Sequence, residues 1–336
     1  MALTVDIAVF AHDEGAGIAA MVVGLAAQDI LHTEDISVRV LVLANGCRDD
    51  TAARARAVAV AGIEVVELAT GGKARTWNRF VHDLSRPGAD ILIFADADIS
   101  LEAPDALSRL ARGLADRPGL WVLNSQPVKD IVARPGRRSL TDRLIAAAGG
   151  GLDDWKTAIC GQLYAMPAAR ARRFHLPVGL PVEDGFLRAL VLTDAFTGAE
   201  EFTRIDGLAG LRHIYASERR IGGLIRHQTR IVIGGAINSV CFDWLAGLPA
   251  PGRHEALARV AADPGWLGAE IARRLPRWPF CFVPAHFLVK RLTRLGRGDL
   301  MRPRRLLLAF LGFGFDLIVY LRAQIAMARG AGSGFW

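Results

Sequence analysis

The chain has 336 residues, 51% of them hydrophobic, which is enough apolar material for one large core or two smaller ones. This composition excludes an intrinsically disordered chain. The 41 lysines and arginines outnumber the 34 aspartates and glutamates, and the net charge of +7 favours anionic partners such as nucleotides, phospholipid surfaces or nucleic acid.

Short apolar segments rich in β-branched residues predict strands that are buried on both faces. Alanine-rich or 3.6-periodic stretches between them predict helices. Strand and helix alternate through the first hundred residues, which is typical of a doubly wound, mostly parallel α/β sheet with helices on both faces. The predicted strands are residues 5–10, 38–44, 63–68 and 90–95, and the predicted helices are residues 17–28, 49–61 and 73–84.

A polar segment follows each of these predicted strands. Ligands of such sheets bind outside the carboxyl ends of the strands, so we expect the four segments to converge on one crevice. Any one of them alone is also explained as a turn or a helix cap, for example Asp49 or Asp50 before a helix that begins at Thr51. The segments are AHDEG (11–15), NGCRDDT (45–51), TGGKAR (70–75) and DADIS (96–100).

Asp96 and Asp98 stand at the end of the fourth predicted strand with the small Ala97 between them. Two carboxylates at this spacing can present oxygens to one hard divalent cation and to a ribose hydroxyl. Mg²⁺ or Mn²⁺ held there would neutralise charge on a leaving nucleoside diphosphate. The alternative is an aspartate pair that caps the following helix.

The second half of the chain contains a candidate base. Glu183 and Asp184 lie in the segment HLPVGLPVEDGFLRALV (175–191), and a carboxylate there could accept the proton of an attacking hydroxyl. The alternative is an acidic first turn that favours the helix dipole. Upstream, residues 158–166 predict a strand in which Gly161 permits close approach of a sugar or acceptor, and Tyr164 belongs either to the pocket or to the core.

The order of the segments VFAHDEG, VLANGCRDDT, GGKARTWNRF, FADADI and LPVEDGFL resembles the family 2 glycosyltransferases, whose nucleotide-sugar-binding domain has the GT-A fold. The resemblance covers roughly residues 3 to 240. It implies that Ala11, His12 and Glu14 line the base and ribose of the donor, with His12 where the family most often has tyrosine. It also implies that Asn45, at a position that is frequently aspartate, contacts the base.

The same resemblance assigns roles along the rest of the site. Lys73 would lie near the nucleotide or its phosphates, Asp96 toward the ribose and Asp98 toward the metal. Asp184 would be the base that activates the acceptor, supported by Glu183.

Residues 214–235 resemble the family region that carries a Gln-x-x-Arg-Trp signature. The matching positions here are His227, Arg230 and Ile231, so only the arginine is retained. Arg230 could bind the diphosphate, for which a guanidinium is suited. The loss of glutamine and tryptophan favours single-sugar transfer over polymer synthesis. His227 is a possible acceptor contact, and His213 or His227 is a third metal ligand or, alternatively, a packed histidine.

The composition changes near residue 249, where residues 249–255 look like a linker. We therefore predict a catalytic domain at 1–248, divided into a nucleotide half (1–100) and an acceptor half (101–248), and a helical C-terminal region at 249–336.

The apolar run 306–321 is short for a bilayer span, so it predicts a helix that lies on a membrane or packs on the catalytic domain. Between residues 273 and 305 the sequence has ten basic residues and one acidic residue, Asp299. This excess of positive charge would suit an anionic lipid surface, contacted through residues 273–325. The ten basic residues are Arg273, Arg274, Arg277, Lys290, Arg291, Arg294, Arg297, Arg302, Arg304 and Arg305.

The sequence thus predicts a metal-dependent, inverting glycosyltransferase that moves one sugar from a nucleoside-diphosphate donor, most simply a UDP-sugar. The acceptor would be a hydroxyl of a glycan or lipid-linked molecule, in cell-surface polysaccharide or glycolipid assembly. The alternatives are a sugar-1-phosphate nucleotidyltransferase and an inactive nucleotide-sugar-binding protein. Widely spaced cysteines and an N-terminus that reads as a strand favour the cytoplasm, with a possible peripheral site on the inner membrane. No nucleic-acid-binding module is recognised.

Overall fold

The computed structural model describes residues 2–133, 154–275, 281–289, 292–293 and 303–330. Within them lies an eight-stranded sheet with the strand order β3-β2-β1-β4-β7-β6-β8-β5. All four strands expected in the first hundred residues are confirmed as β1 to β4. The strands are β1 Leu3–Ala11, β2 Ile36–Asn45, β3 Ile63–Leu68, β4 Ile91–Asp96, β5 Ile99–Leu101, β6 Val122–Lys129, β7 Leu163–Pro167 and β8 Ile205–Tyr215.

The first four strands form the parallel half of the sheet. Strand β1 pairs in parallel with β2 on one side and β4 on the other, so that Ala11 lies beside Ala44 and Phe10 beside Asp96. From β4 onward the sheet is mixed, since β7 is antiparallel to both β4 and β6. The register places the ends of β1, β2 and β4 at one edge.

Helices cover both faces of the sheet, as the alternating pattern predicted. Leu41 and Leu43 of β2 point into one hydrophobic core, and Val40 and Val42 point into the other. The three helices predicted in the first half are confirmed as α1 to α3, and a turn of π-helix at Phe80–Leu84 extends the third. The helices are α1 Ile18–Ala26, α2 Thr51–Ala57, α3 Lys73–Arg79, α4 Ala106–Ala115, α5 Asp130–Ala133, α6 Ala168–Ala171, α7 Glu183–Thr193, α8 Ile221–Ala246, α9 Arg253–Ala261, α10 Trp266–Arg274, α11 His286–Val289 and α12 Pro303–Ala328.

The C-terminal helices pack against the sheet domain. The segment expected to be a linker contains instead a 3-10 turn at Ala250–Gly252 and the start of α9. Leu257, Leu267 and Val319 are buried in the same core as Phe94 of β4. The predicted apolar run 306–321 lies within α12, which packs on α8. Several of the expected basic residues, including Arg277 and 290–291, lie outside the described residues.

A buried carboxylate ties the start of the sheet to the segment after α3. Asp6 of β1 is fully buried, and its Oδ1 accepts a hydrogen bond of 2.6 Å from Nε of Arg86. The same guanidinium donates to the carbonyl oxygen of Val5. Burial of an ionised carboxylate costs several kcal/mol unless a cation compensates it.

We expect Arg86→Met to lower the free energy of unfolding by about 3 kcal/mol, because it leaves Asp6 charged and unpaired by a side chain in the core. Urea denaturation measures the change. The matched control is Arg54→Met, whose partner Asp50 is more than half exposed, and we expect a loss of about 0.5 kcal/mol there. Equal losses in the two variants would contradict the prediction.

Candidate active site

A cavity of about 690 Å³ opens at the edge where β1, β2 and β4 end. Its other walls come from the end of β6, the segment before β7, the start of α7 and the first half of α8. The convergence expected from the polar strand ends therefore occurs in the structure. The predicted site residues that line the cavity are Ala11, His12, Glu14, Asn45, Lys73, Asp96, Asp98, Gly161, Glu183, Asp184, His227 and Arg230.

Lys73, the first residue of α3, lines the cavity and contacts three chain segments. Its Nζ lies 2.6 Å from Oδ1 of Asp96 and 3.4 Å from Oε1 of Glu183, and it donates to the carbonyl oxygen of Gly161 at 3.0 Å. Burial alone would lower the pKa of this ammonium, but Asp96 and Glu183 outweigh burial and raise it. Lys73 is therefore charged, and it links the end of β4 to the start of α7.

The carboxylates at the end of β4 provide hard oxygen ligands. Asp98 is exposed to the cavity, and Asp96 is one-fifth exposed. Burial, together with repulsion from Asp98, Asp96 and Asp49, raises the pKa of Glu14 to about 7. This concentration of negative charge fits a divalent cation such as Mg²⁺ or Mn²⁺, which takes carboxylate oxygens.

The ends of β1 and β2 form one side of the cavity. Nδ1 of His12 lies 2.7 Å from the carbonyl oxygen of Asn45, to which it donates. Asn45 is 1% exposed, and its Oδ1 is buried with no hydrogen-bond partner among the described residues. Gly46 follows with a positive φ of 58°, and a Cβ there would lie 2.5 Å from the backbone nitrogen of Gly71. Only glycine fits this crossing, which holds the loops after β2 and β3 together.

A further group near this side has metal-binding atoms. One ligand atom from each of His12, Asp13 and Cys47 lies within 4.8 Å of the other two. His12 and Cys47 offer nitrogen and sulfur ligands, which softer metals prefer, whereas Asp96 and Asp98 offer only oxygen.

Glu183 and Asp184 occupy the first turn of α7, where the helix dipole favours negative charge. Burial and repulsion from Glu183 raise the pKa of Asp184 to about 6, while Lys73 and Arg230 oppose the rise. A Cβ on Gly161 would lie 3.2 Å from both Cβ and Oδ2 of Asp184, so glycine leaves space for this carboxylate. Asp184 is thus ionised at neutral pH and close to the pKa that suits a general base.

The first half of α8 forms another wall of the cavity and carries His227 and Arg230. Burial and the positive charge of Arg230 lower the pKa of His227, which is therefore neutral at pH 7. His213 does not line the cavity. It is fully buried with its ring nitrogens 3.1 Å from the side-chain oxygens of Ser125 and Gln162, so of its two expected roles the structure places it as a packed histidine.

Tyr164 lies outside the cavity, which corrects its possible assignment as an acceptor contact. Its ring is 4% exposed and stacks on Phe94 with the ring centroids 4.7 Å apart. Its hydroxyl accepts a hydrogen bond from Nε1 of Trp77. Side chains alternate along a strand, and this one points to the core face of β7.

Several polar residues of the cavity were not predicted from the sequence, among them Lys129, Gln162 and Gln228. Lys129 ends β6, so the rule about polar strand ends would have selected it if that strand had been recognised. Gln162 lies beside β4 only because β7 pairs antiparallel with it.

Comparison with models of protein families and with curated proteins gave no match. Among solved structures, the chain is similar to a mannosyltransferase from Pyrobaculum calidifontis in complex with GDP-mannose and Mn²⁺. The identity is 17%, the match covers 97% of this chain and 87% of that one, and the TM-score is 0.53. The chain has the GT-A fold.

A weaker likeness links this GT-A chain to glucosyl-3-phosphoglycerate synthase from Mycobacterium tuberculosis in complex with Mn²⁺, UDP and phosphoglyceric acid. The identity is 19%, the match covers 74% of this chain and 80% of that one, and the TM-score is 0.48. The similarity to the mannosyltransferase, which has the higher TM-score, is the one that shows the fold.

We expect Lys73→Met to lower the free energy of unfolding by about 3 kcal/mol at pH 8, because Asp96 and Glu183 lose their cation. The pKa values of Asp96 and Asp184 are already raised to about 6, and loss of the ammonium raises them further. Protonation relieves the repulsion, so the deficit should shrink as the pH falls from 8 through these raised pKa values toward 6.

Thermal unfolding from pH 5 to pH 8 tests this dependence. Exposed Lys156→Met is the control, and we expect about 0.5 kcal/mol or less for it at every pH. A deficit of the Lys73 variant that is independent of pH would contradict the role of Lys73 as counter-charge.

Proposed function

We propose that this protein is a metal-dependent glycosyltransferase that moves a single sugar from a nucleoside-diphosphate sugar to an acceptor hydroxyl. The observation that carries the proposal is the sharing of one cavity by two acidic pairs. Asp96 and Asp98 suit a cation and the donor, whereas Glu183 and Asp184 suit the acceptor. Lys73 bridges the pairs, so their spacing is fixed by an ion pair rather than by mobile loops.

In the proposed reaction, the acceptor oxygen attacks the anomeric carbon of the donor. Asp184 accepts the proton of that hydroxyl as the new carbon–oxygen bond forms, and the electron pair of the breaking glycosyl bond leaves on the diphosphate. Asp98 and Asp96 would hold Mg²⁺ or Mn²⁺, which when bound supplies positive charge to the leaving diphosphate. Arg230 offers a guanidinium to the same phosphates. A single direct displacement inverts the anomeric configuration.

The side of the cavity formed by the ends of β1 and β2 suits the nucleotide. The buried Oδ1 of Asn45 can accept a hydrogen bond from a base N–H, and a base lacking a donor there would leave it unsatisfied. The mannosyltransferase of the same fold holds GDP-mannose and Mn²⁺, which supports a nucleotide-sugar donor with a cation. UDP is the first nucleotide that we propose to test, followed by GDP.

We propose a glycan or lipid-linked acceptor, with a role in cell-surface polysaccharide or glycolipid assembly. Arg230 is retained without the tryptophan of the polymerase signature, which supports transfer of one sugar. All four cysteines are free thiols, in keeping with a reaction in the cytoplasm.

Thermal stabilisation by UDP, GDP, CMP and dTDP, each with Mn²⁺ or with EDTA, tests the donor site. We expect one nucleoside diphosphate to stabilise the protein only with Mn²⁺, by about 2.7 kcal/mol at a hundred times its dissociation constant. Asp98→Asn should abolish the shift, since it removes a charged metal ligand. The matched control Asp116→Asn changes an exposed aspartate outside the cavity and should keep the shift. Absence of a shift with every nucleotide would defeat the proposal.

Once the donor is known, Asp184→Asn tests the base. We expect turnover to fall by about 10² to 10⁴-fold while the nucleotide-dependent stabilisation persists, because the amide cannot accept the proton. In the native enzyme, turnover should fall as the pH drops through about 6, where Asp184 becomes protonated. Retention of the anomeric configuration in the product would exclude this mechanism.

A further inference from the structure

Helix α12 has an unusual distribution of polarity. Its exposed side carries Leu307, Phe310, Leu311, Ile318, Leu321 and Ile325, which are between 41% and 66% exposed. These residues recur at intervals that keep them on one face of the helix, here called the apolar stripe. The apolar stripe continues through Gly314 and Ala328, which are also exposed.

Two polar side chains of the same helix, Asp316 and Gln324, point inward. Asp316 is 3% exposed and Gln324 is 1% exposed. Oε1 of Gln324 accepts hydrogen bonds from the backbone N–H groups of Phe282 and Val283, and its Nε2 donates to the carbonyl oxygen of Val283. The hydroxyl of Tyr320 donates to that same carbonyl. A helix on the surface of a water-soluble domain normally has the opposite arrangement.

The helix is fixed in this orientation by its inner face. Val319, Ala323 and Met327 are buried in the core that α8 shares. Rotation of α12 to hide the apolar stripe would expose these residues and break the bonds of Gln324. The stripe therefore faces outward in the folded protein, and a continuous apolar surface of this kind marks a site of interaction.

Among the described residues, Ala309–Ala328 is the one segment that is by itself long and apolar enough to cross a membrane, and 28% of it is buried in the protein. Crossing would require α12 to leave α8 and carry Asp316 and Gln324 into hydrocarbon, which is costly. A helix that keeps its inner contacts can still bury its outer face at the lipid interface.

The charges on the exposed side of α12 indicate which kind of surface this helix would contact. Arg322 and Arg329 are exposed beside the apolar stripe, and the only acidic residue in α12 is the buried Asp316. Exposed apolar side chains with arginines beside them complement an anionic bilayer. They complement a second copy of this chain less well, because its net charge is also positive.

We propose that the apolar stripe docks the protein on an anionic lipid surface, with α12 lying in the plane of the interface. This inference goes beyond sugar transfer and does not depend on it. If both proposals hold, the enzyme works where lipid-linked acceptors are found.

Co-sedimentation of the full chain with lipid vesicles tests the docking. We expect binding to vesicles of equal parts phosphatidylglycerol and phosphatidylcholine, and weaker binding to phosphatidylcholine alone. Ile318→Glu should lower the affinity for the anionic vesicles at least about tenfold, since it replaces an apolar side chain of the stripe with a negative charge. Val23→Glu, at an exposed position of α1 with similar exposure, is the matched control and should bind as the native protein does.

Equal affinity of the Ile318 and Val23 variants would overturn the proposal, as would equal binding to charged and neutral vesicles. A dimer in lipid-free solution that Ile318→Glu dissociates, without any vesicle binding by the native protein, would assign the stripe to contact between copies instead. The nucleotide-dependent stabilisation, measured on the same variants, separates the two proposals. Its absence would defeat sugar transfer and leave the docking result unaffected.

Discussion

The ammonium group of Lys73 is the interaction on which the arrangement of the cavity depends. It is charged in a mostly buried position and contacts Asp96, Glu183 and the carbonyl oxygen of Gly161. These partners come from the end of β4, the start of α7 and the segment before β7, which are far apart in the chain. Without this cation, mutual repulsion and desolvation would favour separation or protonation of the carboxylates. One lysine thus holds the two acidic pairs at a fixed separation.

The sheet provides the frame for this ion pair. Parallel pairing of β1 with β2 and β4 aligns three polar strand ends at one edge, and antiparallel pairing of β7 with β4 brings Gly161 and Gln162 to the same edge. The change of strand direction at β7 therefore builds another wall of the cavity. Absence of a side chain at Gly161 leaves room for Asp184, whose raised pKa follows from burial beside Glu183. The pairing of the strands, the space at Gly161 and the raised pKa of Asp184 are thus linked in one cavity.

The C-terminal helices pack on the outside of this sheet domain. Helix α8 supplies cavity residues along its first half and packs against α12. The inward hydrogen bonds of Gln324 and Tyr320 orient α12, so the direction of its apolar stripe is set by polar contacts in the interior. An apolar surface is therefore held on the outside of the domain. The helix that carries it, α12, packs against α8, which lines the candidate active site.

The sequence by itself determined the parallel half of the sheet and the seven predicted cavity residues that follow its strands, because buried strands and their polar ends are local patterns. His227 and Arg230 were predicted only through the resemblance to the family 2 glycosyltransferases. Tertiary structure decided what depends on contacts between distant segments. The alternation of side chains along β7 and its pairing with β4 put Tyr164 in the core and Gln162 in the cavity. Likewise, the apolar run of α12 was visible in the sequence, but only its packing on α8 showed which side faces outward, since hydrophobicity alone does not tell a core-facing stripe from an exposed one.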